Sequence, residues 1–265
     1  MHRKAFGVRQ YRHPQIYVIF VSATPQPAKG AAMYATNFSL TAILMVLCAV
    51  AVADPTGASK PGREPYTAEV PDAPEAGGPR NWEVTGVSRT LNLRQQPSTT
   101  ASIVSGYSPG TILDNLGCRH AEGRVWCDVQ QLGGGARGYV SAEFLKPAVS
   151  PDGSVATGPD DSALRAGQGD FDATGNIPCA QYAGQPMMQC EFGVSRAGGG
   201  YATVVIKKPG GRTRAIFFRM GKPLGADTSE ADGYHEFRAT REYDLHLIRV
   251  GNERYEIPEA VVLGG

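Results

Sequence analysis

The sequence predicts an all-β protein with two folded regions: a small five-stranded barrel and a second antiparallel β domain, either a meander or a small sandwich. Gly and Pro are frequent, with 33 and 19 among 265 residues, which favours many short strands joined by turns. The charge is nearly balanced, 26 Lys and Arg against 25 Asp and Glu, and the basic residues are interleaved with acidic ones. Nucleic-acid-binding proteins usually carry a basic face, so we expect no nucleic-acid partner.

Residues 1–53 are predicted to be an N-terminal extension that contains a secretory signal peptide. The apolar core at 40–52 ends in Ala51-Val52-Ala53, the small-x-small pattern of a signal-peptidase site. Because a membrane span needs about 20 apolar residues, we expect cleavage after Ala53 and a periplasmic or secreted protein. A single-pass membrane anchor is the alternative, and a membrane contact is expected only in that case. Both Met1 and Met33 fit as the start residue.

The cysteines agree with export. Cys48 lies in the signal, and the mature chain keeps Cys118, Cys127, Cys179 and Cys190. Four cysteines permit three pairings, and the two close pairs, 118–127 and 179–190, are the economical choice. Each bond would close a loop of about ten residues, which stabilises by roughly 2–3 kcal/mol in the chain-entropy model. A zinc site would want Cys-x-x-Cys spacing, which is absent, so we expect disulfides and neither a metal nor a cofactor.

Composition divides the mature chain. Residues 54–80 are rich in Pro, Gly, Ala and Glu and are predicted to be a disordered linker. Residues 82–147 are dense in short strand patterns and form the first predicted domain. Residues 148–169 are again rich in Ser, Pro, Gly and Asp and are predicted to be a second linker, followed by the C-terminal domain at 170–265.

Five motifs of the first domain occur in a recognisable order. They are LNLRQQPST at 91–99, PGT at 109–111, LGC at 116–118, VWCDV at 125–129 and GYVSAEFL at 138–145. In order and spacing they resemble the bacterial SH3 domain family.

The resemblance implies a five-stranded SH3-like barrel with Leu91 and Leu93 in its core. It also implies that Asn92 and Arg94 hold the following loop by hydrogen bonds. The family usually has Gly before the Pro of the first motif, and Gln96 stands there in this chain, so we expect a different local turn. Residues 142–145 are predicted to form one helical turn.

Bacterial SH3 domains resemble targeting modules that bind peptidoglycan or other envelope components, so the expected partner is peptidoglycan or an envelope protein. The candidate ligand-binding residues are the aromatic side chains of Tyr107, Trp126 and Tyr139. Trp126 or Tyr139, where exposed, would stack on a sugar or a peptide. Packing in the domain core is the alternative role for these rings, because aromatic side chains supply much of the burial in a small domain.

The C-terminal region reads as an antiparallel β domain of six strands. It resembles uncharacterised segments that accompany bacterial SH3 domains in secreted proteins, and this resemblance transfers no function. The strands are predicted at 187–195, 201–208, 212–220, 234–241, 245–250 and 253–257.

Possible cation ligands in this region are few. Asp170 and Asp172 resemble the opening of a calcium loop, but Gln181 stands where the bidentate Glu belongs, and an Asp-rich turn is the alternative. His235 and His246 lie in alternating strands and are predicted to face solvent. The acidic loop 227–232 is predicted to be a solvated hairpin tip, with weak cation binding as the alternative.

No complete catalytic set is visible, because the mature cysteines pair and the histidines lie far apart. The first hypothesis is therefore a non-enzymatic exported envelope-binding protein. The second makes the C-terminal domain a hydrolase of a cell-wall polymer, or an inhibitor of such an enzyme, with Asp170, Asp172, Glu191 or His246 lining a cleft. The third is a periplasmic protein–protein adaptor.

Overall fold

A computed structural model of the protein describes residues 69–228 and 236–264. The predicted signal peptide, its cleavage site, most of the first linker and His235 lie outside the described residues. Among the residues described, no helix is long and apolar enough to cross a bilayer.

The first region is an antiparallel sheet of seven strands in the order β3-β2-β6-β5-β4-β1-β7. This sheet has two strands more than the five of the predicted barrel. Strands β1 and β7 pair with each other and extend the sheet beyond β4. A 3-10 turn at Ala142–Phe144 lies between β6 and β7, as predicted for 142–145. The strands are β1 (Asn81–Val84), β2 (Leu91–Arg94), β3 (Ile103–Tyr107), β4 (Ile112–Ala121), β5 (Arg124–Gln131), β6 (Arg137–Ser141) and β7 (Leu145–Pro147).

Strand β2 confirms the alternation expected from the first motif. Leu91 and Leu93 are buried and Asn92 is exposed. The Nη1 atom of Arg94 donates a hydrogen bond to the carbonyl of Ala101 at 2.7 Å, so this arginine holds the following loop as the family resemblance implies. Gly138 on β6 approaches the same strand so closely that a Cβ atom there would lie 2.5 Å from the Arg94 carbonyl oxygen. The glycine of the GYV motif therefore permits the contact between β2 and β6.

The second region is an antiparallel sheet of eight strands in the order β12-β11-β10-β9-β8-β15-β14-β13. Consecutive strands pair as a meander, β15 returns to pair with β8, and the edge strands β12 and β13 contact each other. The sheet therefore nearly closes into a barrel. Its strands are β8 (Ala173–Ala180), β9 (Met188–Arg196), β10 (Ala202–Lys207), β11 (Thr213–Arg219), β12 (Lys222–Ala226), β13 (Phe237–Glu242), β14 (Leu245–Val250) and β15 (Glu253–Pro258).

Two short helices flank this barrel, α1 (Ser162–Gly167) and α2 (Glu259–Leu263). Six of the eight strands were predicted, and β8 and β12 were missed. Along β11, β14 and β15, alternate residues are buried, as a half-buried strand requires. The buried core consists of Ile177, Cys179, Cys190, Phe192, Val194, Ala202, Val204, Ile206, Ile216, Phe218, Ile248, Val250, Tyr255, Ile257 and Val262.

Both predicted disulfides are present, but they cross their strands differently. Cys118 lies directly opposite Cys127 in the β4–β5 ladder, with Cα atoms 4.0 Å apart. Cys179 is opposite Met188, so its bond to Cys190 runs diagonally across β8 and β9, and the Cα atoms are 5.9 Å apart. Each disulfide thus ties two neighbouring strands within one region.

A buried ion pair lies at inward positions of the barrel. The guanidinium of Arg214, 2% exposed, donates from Nε and Nη2 to the carboxylate of Glu253 at 2.8 and 3.1 Å. Lys208 Nζ lies 3.0 Å from the same carboxylate, and the Tyr255 hydroxyl donates to it at 2.8 Å. Burial alone raises the pKa of Glu253, but hydrogen bonds from Arg214, Lys208 and Tyr255 outweigh it and lower that pKa to about 2.

The two regions meet through a buried tyrosine. The Tyr201 hydroxyl donates to Asn81 Oδ1 at 2.5 Å, and the Arg80 guanidinium lies 4.6 Å from the centre of the Tyr201 ring. Burial raises the pKa of Tyr201 to about 12. Arg219 and Asp114 add an ion pair across the junction at 3.7 Å.

Segments that composition assigns to linkers take part in this junction. Ala148, Ser150 and Ala156 are buried, and Pro79 bridges to Thr157. Residues 148–169 were predicted to be a linker because they are rich in Pro, Gly and Asp. Part of this segment nevertheless packs at the junction, because its small side chains allow close contacts. The boundaries of the domains stay predictions.

Candidate ligand-binding surfaces

A groove of about 190 Å³ crosses the first region between β2 and β5. Its wall combines apolar side chains with hydroxyl, amide and guanidinium groups, a composition typical of small polar-ligand sites. The lining residues are Val87, Thr90, Leu91, Asn92, Arg94, Thr99, Arg124, Trp126, Ser141 and Phe144.

Trp126 is the aromatic residue of this groove that sequence analysis had singled out. It belongs to β5, is 3% exposed, and its indole Nε1 has no hydrogen-bond acceptor among the described residues. A buried donor without an acceptor is unfavourable by about 1–3 kcal/mol, and few native groups are left so. Trp126 is therefore no open stacking platform: the residue lines the groove, but its Nε1 atom is itself buried.

The charged rim of the groove has defined partners. Arg124 Nη1 lies 3.0 Å from Glu143 Oε1, and both side chains are about half exposed. The Ser141 hydroxyl donates to the same Glu143 oxygen at 3.0 Å. Exposed ion pairs of this kind contribute little to stability, so Arg124 can exchange its partner for a ligand group at small cost.

The other two aromatic candidates lie outside the groove lining. Tyr107 is buried in the core, its hydroxyl donates to the Ala136 carbonyl at 3.0 Å, and burial raises its pKa. Tyr139 is half-buried, and the Arg119 guanidinium lies 4.9 Å from its ring centre. Of the three aromatic candidates, the structure thus brings only Trp126 to this groove. Arg94 and Arg124 also line the groove, and the sequence alone did not predict that they would.

A larger groove of about 1010 Å³ lies on the outer face of the barrel, beside α1. The Ser162 and Thr203 hydroxyls are 3.1 Å apart and join α1 to β10. Phe171 packs on Gly193 so closely that a Cβ atom at Gly193 would lie 2.5 Å from its ring. Glu191 also lines this groove and pairs with Lys207 at 2.9 Å.

Two acidic candidates of the enzyme hypothesis, Asp170 and Asp172, share one arginine. The guanidinium of Arg165 binds Asp170 at 2.8 Å and Asp172 at 2.6 Å. Hydrogen bonds from Arg165 and then from the Arg196 amide lower the pKa of Asp172. Both carboxylates therefore have a cationic partner in place of a calcium ion, and no group of three metal-ligating side chains occurs in the part of the chain that the structure describes.

His246 was predicted to face solvent, and this was wrong. It is 2% exposed on the inward face of β14, with its ring 5.4 Å from that of Phe218 in an edge-on arrangement. Burial, and then the charge of Arg241, lower its pKa, although Glu259 opposes the shift. The prediction for His235 and most of the acidic loop at 227–232 lie outside the described residues.

The family comparison matches the region that carries the smaller groove. Residues 89–146 match the family model described as the bacterial SH3 domain. This chain contains a bacterial SH3 domain. A search of curated proteins and a search of solved structures each found no match. The bacterial SH3 domain lies within the predicted range 82–147, so the resemblance seen in the five sequence motifs is confirmed.

Proposed function

We propose that the protein is exported, is not an enzyme, and uses the groove of its bacterial SH3 domain to bind peptidoglycan or another envelope component. A bacterial SH3 domain suggests a cell-wall role, and two disulfides fit an oxidising compartment outside the cytoplasm. The proposed mature chain begins near Asp54.

The observation that carries the proposal is the groove itself, in which Arg94 and Arg124 lie beside the apolar surface of Trp126. An arginine fork favours a carboxylate such as that of a wall peptide. The groove thus offers an apolar wall with donors at its edge, which suits a short peptide or an amidated sugar.

Co-sedimentation with isolated peptidoglycan sacculi tests this function. The sample is the intact exported protein, and its first residue, expected near Asp54, is read in the same preparation. We expect Arg124→Gln to weaken sedimentation by about tenfold, because one charge-assisted hydrogen bond to the ligand is lost.

Arg137→Gln is the matched control. Arg137 is also exposed and also forms an ion pair, with Asp128 at 2.8 Å, but it does not line the groove. Both variants lose the same charge from the first region, so a comparable loss of binding in both would assign the effect to overall charge and count against the groove. Failure of the native protein to sediment, where a known wall-binding protein does, would reject wall binding and favour the adaptor hypothesis.

A further inference from the structure

Three arginines form a row across the outer face of the barrel. Arg238 on β13 lies directly opposite Arg249 on β14, and Arg249 lies directly opposite Arg254 on β15. The residues beside them in sequence, such as Ile248, Val250 and Tyr255, are buried, so the arginines point away from the core. Neighbouring strands are about 4.8 Å apart, and the row therefore spans about 10 Å.

Among the described residues, only one arginine of the row has an acidic partner. Arg238 pairs with Glu236 at 2.8 Å, with both side chains largely exposed. Arg254 donates to the Gln185 carbonyl, a neutral acceptor. Arg249 is exposed and has no ion pair or hydrogen bond among the described residues. Glu256 faces the same way one row further on, opposite Leu247, and forms no ion pair with the arginines in the described part of the chain.

This arrangement is unfavourable for the isolated protein. Like charges at directly opposite positions of an antiparallel pair destabilise a sheet, and the guanidinium group stays charged at every physiological pH. The row contains two such pairs in succession. An anion bound across the strands would replace the repulsion between the arginines with attraction to its own negative charge. Each guanidinium presents a fork of donors that fits phosphate or carboxylate oxygens.

The surface around the row is concave. The three arginines line a hollow of about 340 Å³, together with Glu256, Met187, Thr240 and Leu247. A flat bilayer cannot enter a hollow, whereas a single anionic group on a flexible chain can. Three guanidinium groups outnumber the one carboxylate of this lining, and its hydroxyl and apolar groups suit a phosphate joined to a sugar or polyol.

We propose that Arg238, Arg249 and Arg254 form a binding site for the phosphate groups of a phosphodiester-linked polymer. The site is separate from the groove of the bacterial SH3 domain and goes beyond the function proposed for it. A phosphate seated between two neighbouring arginines accepts hydrogen bonds from both, and the next phosphate of the chain reaches the third.

Binding of a labelled short poly(glycerol phosphate) to the intact mature protein, followed by fluorescence anisotropy, tests the site. We expect saturable binding that weakens with added salt, as for other polyanions. Arg249→Gln should weaken it by about tenfold and Arg238→Gln with Arg249→Gln by about a hundredfold, the range for one and two lost charge-assisted hydrogen bonds. Because these side chains are exposed, we expect both variants to melt at or above the native temperature.

Arg89→Gln is the matched control, since Arg89 is exposed and lies in the other region of the chain. It removes one positive charge and should change the affinity by less than about twofold, as for a distant screened charge. No binding of the polymer, or an equal loss in Arg89→Gln and Arg249→Gln, would overturn the site.

Two further probes identify the ligand. Equal affinity for polyglutamate would overturn the assignment to phosphate. Binding to phosphatidylglycerol vesicles without binding to the soluble polymer would assign the row to a membrane surface instead and also overturn the proposal. The assay contains no peptidoglycan, so its failure is independent of the sacculus experiment.

Discussion

The two β regions enclose different kinds of core. The first region buries Trp82, Tyr107 and aliphatic residues, and its unpaired polar atoms include indole N–H groups. The C-terminal barrel buries mostly aliphatic residues but also places Arg214 at an inward position beside Glu253. Strand alternation therefore determines which positions face inward. A charged residue such as Arg214 can occupy an inward position when a side chain of opposite charge lies beside it.

The largest expected effect comes from removing the buried carboxylate of the barrel. Glu253→Gln should lower the free energy of unfolding by about 3–5 kcal/mol, because the charges of Arg214 and Lys208 lose the carboxylate that they share. Urea denaturation measures the change. Glu191→Gln, in the exposed pair with Lys207, is the control and should cost less than about 0.5 kcal/mol. Equal effects in both variants would contradict the contrast between the two cores.

Acid should act on the same carboxylate with a somewhat smaller effect. The pKa of Glu253 is lowered from 4.5 to about 2 in the folded protein. Its stabilisation is therefore complete above about pH 4.5 and is lost as the pH falls toward 2, by roughly 2–3 kcal/mol in total. Unfolding free energies measured between pH 5 and about 2.5 should fall more steeply for the native protein than for Glu253→Gln. Parallel slopes would show that another group governs the acid response.

The smallest effect tests the junction between the regions. Tyr201→Phe removes the hydroxyl that donates to Asn81 and should lower the free energy of unfolding by about 1 kcal/mol. Tyr243→Phe is the control, because Tyr243 is 95% exposed and its hydroxyl is solvated. If Tyr201→Phe unfolds in two separate transitions, the two regions are stable independently, which would sharpen the comparison of their cores.

Sequence patterns predicted the bacterial SH3 domain in detail because its motifs are local. Leu91 and Leu93, the GYV strand and the 118–127 disulfide each follow from neighbouring residues. Strands β8 and β12 of the C-terminal barrel were missed, and for β12 the reason is physical. Strand β12 contains Pro223 and Gly225, which disfavour central strands, but it lies at a sheet edge where Pro is tolerated.

The buried histidine shows a second limit. The run LHLIRV at 245–250 contains apolar residues at both odd and even positions, and the prediction placed His246 outside. Ile248 and Val250 face the core, and a strand has period two, so His246 must face inward as well. The choice of which alternate residues face the core therefore determines the orientation of every side chain in the strand.

The candidate sites depended on contacts that a linear sequence does not display. Arg238, Arg249 and Arg254 are separated by up to 16 residues and become neighbours only through the register of β13, β14 and β15. Trp126 was a candidate from its residue type, but its unpaired donor appears only when the surrounding acceptors are known.

The buried contact at Tyr201 also sets the geometry of any binding in which both regions take part. Two sites on a flexible tether gain avidity over a wide range of ligand spacings, at an effective concentration that falls as the tether lengthens. Here Asn81 and Tyr201 lock the regions together, so the SH3 groove and the arginine row stand at one separation. Under the two proposals, a wall polymer that carries peptide carboxylates and phosphates at that separation would engage both sites with no further loss of tether entropy, and one with a different spacing would engage one site at a time. The junction would thereby select ligands by the spacing of their binding groups.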